Sequence, residues 1–138
     1  MQIVKSFREL NTYKLAREAA GRIFQITKPF PAEEKYSLTD QIRRSSRAVN
    51  AMIAAAWEWR RYRAVFVNKL DEALEETMET QAWLDHSLDS GYISETQFRT
   101  LDAQWQSIGA MLNRMMERAD AFCRFAPDDT DRVSRSRR

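Results

Sequence analysis

One cysteine, one histidine, three glycines and three prolines in 138 residues exclude several familiar kinds of protein. A single thiol, Cys123, cannot close an internal disulfide, which points to a reducing, cytoplasmic setting. So few glycines and prolines cannot supply the many tight turns of a β-sandwich or barrel, and they suit a handful of long helices. No stretch approaches the ~20 apolar residues of a membrane span. The first nine residues carry Lys5, Arg8 and Glu9 where a secretory signal needs an apolar run. The expectation is a soluble, intracellular protein with no membrane partner. His86 stands without a second histidine, and no glycine-rich phosphate loop or metal-ligand spacing accompanies it or Cys123. Glu75, Glu76 and Glu79 lack the Glu-x-x-His partners of di-iron bundles. The expected catalytic, metal and cofactor sets are therefore empty: His86 reads as an exposed helix residue, Cys123 as a small core residue, and the chain as no enzyme.

What is present is helical periodicity. Hydrophobic residues make up 43% of the chain and charged ones 30%, enough for one cored domain and too little length for two. The spacing predicts a first helix over Glu9 to Thr27, with Leu10, Tyr13, Ala16, Ala20, Ile23 and Phe24 on one face, ended by Pro29 and Pro31. A second runs from Leu38 to Arg61, with Ser37 and Asp40 as its capping box and Leu38, Ile42, Val49, Ile53 and Ala56 facing inward. A third runs from Arg63 to Ser90, where Phe66, Leu70, Leu74, Thr77, Leu84 and Leu88 share a face and Gly91 supplies a left-handed stop. The fourth opens on a Ser94/Gln97 capping box. It carries Leu101, Trp105, Ile108, Leu112, Met115, Ala119 and Phe122 in alternating steps of four and three, the pattern of a bundle seam. These elements predict an all-α, up-down four-helix bundle over residues 1–126. Residues 127–138, polar and charged, are expected to be a disordered tail.

The net charge of +2 conceals a segregation. Residues 1–64 hold 13 Lys and Arg against 6 acids, residues 65–102 hold 2 against 9, and residues 103–138 hold 7 against 5. The first two helices are basic and the third is acidic. Such a molecule can attract phosphate on one side and a basic partner on the other, or its helices can neutralise each other. A second apolar stripe is also visible. At ~100° per residue, Trp83 falls nearly opposite the Leu70, Leu74 and Leu88 face, beside Glu72, Glu76 and Glu79. Ala51, Ala54 and Ala55 occupy the far side of the second helix, flanked by Trp57 and Trp59. Covered second stripes on several helices predict self-association.

Phe7, Leu10, Tyr13 and Ala16, then Phe30-Pro31, Glu34, Tyr36, Leu38 and Gln41-Ile42-Arg43-Arg44-Ser45, and later Glu76, Glu79-Thr80, Trp83-Leu84 and Gly91-Tyr92-Ile93, carry a further signal. In this order, over residues 7 to 122, they resemble the four-helix-bundle family encoded in bacterial 23S rRNA intervening sequences. Its relatives include the accessory variability protein of diversity-generating retroelements, a basic homopentamer that binds nucleic acid and a reverse transcriptase. The resemblance implies an up-down bundle, a homopentamer, RNA binding, a protein partner of the reverse-transcriptase kind and no enzymatic activity. One departure stands out. Where the family has Asn-Ile-Ala-Glu-Gly, this chain has Met52-Ile53-Ala54-Ala55-Ala56, so apolar packing replaces whatever the family's acid and glycine organise.

Two function classes follow. The first is an RNA-binding oligomer or nucleic-acid accessory factor. Arg60, Arg61 and Arg63, with Trp57, Trp59 and Tyr62 interleaved, are its candidate contacts, giving phosphates cations and bases rings. The second is a scaffold that binds a protein and no nucleic acid. Gln41, Arg43, Arg44, Glu76, Glu79 and Trp83 are assigned to structure or interface, with Arg43 and Arg44 reaching the carboxylates of Glu76 and Glu79.

Overall fold

A computed structural model of the protein describes residues 4–124; the tail expected at 127–138 lies outside them. A 3-10 turn over Phe7–Glu9 leads into α1 (Asn11–Thr27), and a second, Ala32–Glu34, precedes α2 (Leu38–Glu58). Then come α3 (Arg63–Asp89), α4 (Glu95–Glu117) and a short α5 (Ala119–Cys123). No strand occurs among the described residues. Short connections turn each long helix back along its predecessor. α2 packs most closely on α3 and α3 on α4, α1 closes the square against α2 and α4, and the backbones of the diagonal pairs stay apart. This is the expected all-α four-helix bundle.

Side chains from all four long helices fill the centre. Ile23, Ile42, Val49, Ile53, Phe66, Leu70, Leu84, Trp105, Ile108 and Leu112 have no exposed surface. The buried stripe of α3 is Phe66, Leu70, Ala73, Thr77, Thr80, Leu84 and Ser87, an unbroken alternation of four and three. Its small members let α2 approach closely, with Ser45 and Ser46 buried on the facing helix. This stripe keeps Phe66, Leu70, Thr77 and Leu84 of the expected one and corrects the rest, with Ala73, Thr80 and Ser87 in place of Leu74 and Leu88. α3 serves α2 as well as α4, so the stripe is centred between the two. Trp83 consequently borders it, half-buried and packed against the core, instead of standing on the opposite face.

The helix ends show where local rules held and where partners elsewhere in the chain replaced them. Ser94 and Gln97 form the full capping box, each side chain accepting from the other's backbone N–H. Gly91 takes φ +76°, and the Tyr92 N–H reaches back 3.0 Å to the Ser87 carbonyl. At α2 the expected Ser37/Asp40 box is absent, because Ser37 makes no side-chain capping bond. Its hydroxyl donates instead to Glu34 (2.6 Å), whose other carboxylate oxygen accepts from the Tyr92 hydroxyl (3.0 Å). The hydrogen bonds from these two hydroxyls, Ser37's foremost, hold the Glu34 pKa below the usual carboxylate value. Ser37 is thus tied to the preceding turn, which Tyr92 anchors from beyond α3. The seam of α4 does not run in one helix to Phe122: the backbone breaks at Arg118 (φ −101°, ψ 24°), and α5 continues the stripe with Ala119 buried.

Candidate nucleic-acid interface

The corner between α2 and α3 gathers the expected cations and rings but aims them apart. The Arg60 guanidinium lies 3.8 Å above the Trp57 ring and donates 2.7 Å to the Trp57 carbonyl. Burial pushes its pKa down from the ordinary arginine value. Arg61 turns inward: its side chain is 6% exposed, Nη2 stands 3.7 Å from Glu58, and Nε and Nη1 have no hydrogen-bond acceptor. Arg63 donates 2.6 Å to Asp120 of α5 across an exposed surface. Trp59 and Tyr62 pack ring to ring at 6.0 Å. One cation is stacked, one buried and one paired, so the three do not form a common face. Cys123, half-buried nearby, has its thiol pKa raised by that burial.

The arginine pair divides its work. Arg44 reaches across to α3 and contacts Glu76 and Glu79, each at 3.4 Å. Burial and the neighbouring Glu79 push the Glu76 carboxyl above its usual pKa despite that arginine. Arg43 turns the other way, to α1. Its Nε donates 2.8 Å to the Thr27 hydroxyl, Nη2 reaches the Phe24 carbonyl at 3.5 Å, and the guanidinium lies 4.6 Å from the Phe24 ring centroid. A cation thereby satisfies the carbonyl end of α1, where the helix dipole favours it. Gln41 and Trp83 line a shallow depression at the start of α2, and the exposed His86 packs its ring 5.8 Å from that of Trp83.

A second basic region was not singled out by sequence reasoning. Between α1 and α2 lies a cleft of about 350 Å³, walled by Tyr13, Arg17, Phe24, Arg47 and Asn50 with Ala20 and Gly21 along one rim. Phe24, expected in the core, is half-buried and is not among the side chains packed on it. Its position beside helix positions 17 and 28 turns it toward α2, where the Arg43/Arg47 pair one turn apart meets it. Three cations surround the ring: Arg43 at 4.6 Å, Lys28 at 5.1 Å and Arg47 at 5.5 Å. Among the described residues, Arg17, Lys28, Arg43 and Arg47 have no carboxylate within ion-pair distance, and no acid lines the cleft. Each exposed cation–ring contact contributes roughly 0.5–1 kcal/mol. Like charges a few ångströms apart cost roughly the same per pair in a watery setting. The signal was readable in principle, since Arg17, Phe24 and Lys28 share a helix face.

Among the described residues no helix is long and apolar enough to cross a membrane, and no three His, Cys, Asp or Glu side chains group to hold a metal. The sequence pattern of the 23S rRNA-intervening sequence protein family matches residues 8–114. A solved structure, a protein with unknown function from the S23 ribosomal protein family of Bacteroides thetaiotaomicron, is similar with a TM-score of 0.69 and 30% identity, covering 77% of this chain and 95% of that one. No curated protein sequence matches the chain. The chain belongs to the 23S rRNA-intervening sequence protein family.

Proposed function

We propose that this member of the 23S rRNA-intervening sequence protein family is a cytoplasmic, non-enzymatic homo-oligomer that binds RNA through the α1–α2 face. The carrying observation is the group Arg17, Lys28, Arg43 and Arg47, four cations on one face without carboxylate partners among the described residues. Such a group gains free energy by releasing counterions from a polyphosphate. Of the corner arginines, Arg63 is the one placed to add a peripheral phosphate contact, by exchanging its exposed Asp120 partner. Arg60 and Arg61 are occupied with Trp57 and the interior.

The opposite side supports self-association. Asp71, Glu75, Met78, Asp85 and Asp89 are exposed along α3, with Met78 62% exposed in the middle of the acids. An exposed apolar residue set among acids marks a surface that a second copy can cover while the α1–α2 face stays open to RNA, and a pentameric ring is the assembly proposed. A basic protein partner of the reverse-transcriptase kind would occupy the same stripe in the scaffold reading.

Binding of a labelled RNA hairpin with single-stranded flanks, measured across a salt series, tests the RNA reading. Neutralising Arg17, Lys28 and Arg47 together should weaken binding and lower the salt slope by about one unit or less per lost phosphate contact. Wild-type protein that is folded and binds no RNA at low salt would leave the scaffold reading in its place.

A further inference from the structure

Phosphate attraction explains the cations of the α1–α2 cleft but not its ring, its amide or its shape. Phe24 is half-buried yet contributes nothing to the packed core. Asn50 donates one amide hydrogen to the Tyr13 carbonyl at 3.2 Å, which leaves its oxygen and second hydrogen at the cleft wall. At Gly21 an added Cβ would meet nothing within 4 Å, so the rim of α1 is low and its backbone open to close approach.

We infer that this cleft is a subsite for an unstacked base of single-stranded RNA, a step that rests on the RNA reading above. The Phe24 ring supplies a stacking surface recessed between two helices, Arg17 and Arg47 take the flanking phosphates, and Asn50 faces a base edge. Stacking of this kind is tolerant of sequence because every base offers a π-face. An A-form duplex keeps its bases stacked inside and offers side chains its phosphates and a shallow minor groove, so it cannot fill a recess of this form. The same cleft therefore selects unpaired over paired RNA. Arg47 lies 5.5 Å from the Phe24 ring centroid and makes no hydrogen bond or ion pair among the described residues, so it is the side chain that yields its place when a base enters.

Fluorescence anisotropy with three probes of equal phosphate count tests the inference: an oligouridylate of about twelve nucleotides, an abasic strand of the same length and an A-form duplex. Wild type should bind the oligouridylate about tenfold more tightly than the abasic strand. Phe24→Leu should lose that advantage and bind the abasic strand and the duplex as wild type does, while Phe24→Tyr should retain it. Circular dichroism on each variant establishes that the bundle is intact. If wild type binds the oligouridylate and the abasic strand equally, the base subsite is overturned and phosphate binding stands. If it binds none of the three at low salt, the RNA reading itself falls and takes the subsite with it.

Discussion

The Ser45 hydroxyl meets the Thr80 hydroxyl at 2.8 Å in the fully buried seam between α2 and α3. Each hydroxyl also has a carbonyl of its own helix in reach, Ile42 at 3.3 Å for Ser45 and Glu76 at 2.9 Å for Thr80, so either one can donate across the seam while the other donates to its carbonyl. Ser45→Ala should lower stability by about 1 kcal/mol, since Thr80 keeps its carbonyl partner and no large cavity opens. Ser45→Leu should cost more, roughly 1–3 kcal/mol, because the helices would be forced apart where small residues let them meet. Urea unfolding of both variants checks the order, and equal losses would mean that the seam is not closely packed.

Arg43 and Arg44, adjacent in sequence, should behave differently. Arg43→Lys removes the forked contact with Thr27 and Phe24 and should cost about 1–2 kcal/mol at any ionic strength. Arg44 is half-exposed where it meets Glu76 and Glu79. Arg44→Ala should therefore cost less than about 1 kcal/mol, a loss that shrinks with added salt. Thermal melts at low and high salt separate the two.

The contrast marks what the sequence could and could not supply. Arg44 and its carboxylates follow from charge pairing between neighbouring helices. The Arg43 contacts do not, because they depend on how far α2 rotates toward α1, which periodicity leaves free by several tens of degrees. The four helices, the Ser94 cap and the Gly91 stop are local signals and were readable. The Ser37 contact was not, since its partner Glu34 is held in turn by Tyr92, 58 residues further on. Arg60, Arg61 and Arg63 look like one basic patch in a row of letters, but a tight turn sends consecutive side chains in different directions. Arg17 and Arg47 are thirty positions apart in sequence and share a cleft.

Glu76 should make the protein less stable as pH rises. Its folded pKa lies above the ordinary value, burial being the main cause, so the proton is held more tightly in the folded chain. The protonated form therefore favours folding in acid, and that advantage is lost as pH climbs from about 4.3 through the raised folded value. Glu76→Gln should match wild type in acid and exceed it at neutral pH. Glu34 has the opposite sign: its lowered pKa gives stability present above the ordinary carboxylate range and lost as pH falls through the folded value. Melts from acid to neutral pH on Glu76→Gln isolate the first effect, and a variant less stable than wild type at neutral pH would show that the Arg44 contact outweighs the burial.

Arg61→Met should stabilise the protein or leave it unchanged. The buried guanidinium has two unpartnered nitrogens and one long contact to Glu58, so its desolvation is poorly offset. Methionine fills a similar volume without that cost. RNA affinity should stay within about twofold of wild type, the scatter of surface effects unrelated to the site. A loss of affinity at unchanged stability would mean that Arg61 turns outward to meet phosphate.

Assembly and folding can be separated on α3. Met78 is 62% exposed in the acidic stripe, whereas Trp83, one and a half turns further on, packs against the core with its indole nitrogen buried and without an acceptor. Met78→Glu adds a charge that the monomer tolerates at an exposed helix position, but it places a further acid at the proposed contact with the next copy. Trp83→Glu adds a charge where the chain itself excludes water. The expected outcome is that Met78→Glu lowers the mass seen by light scattering while helix content and melting temperature stay close to wild type. Trp83→Glu should lower the melting temperature before assembly is in question. An unchanged mass for Met78→Glu would remove α3 from the oligomer interface. A folded Trp83→Glu monomer would return Trp83 to the surface at which subunits meet.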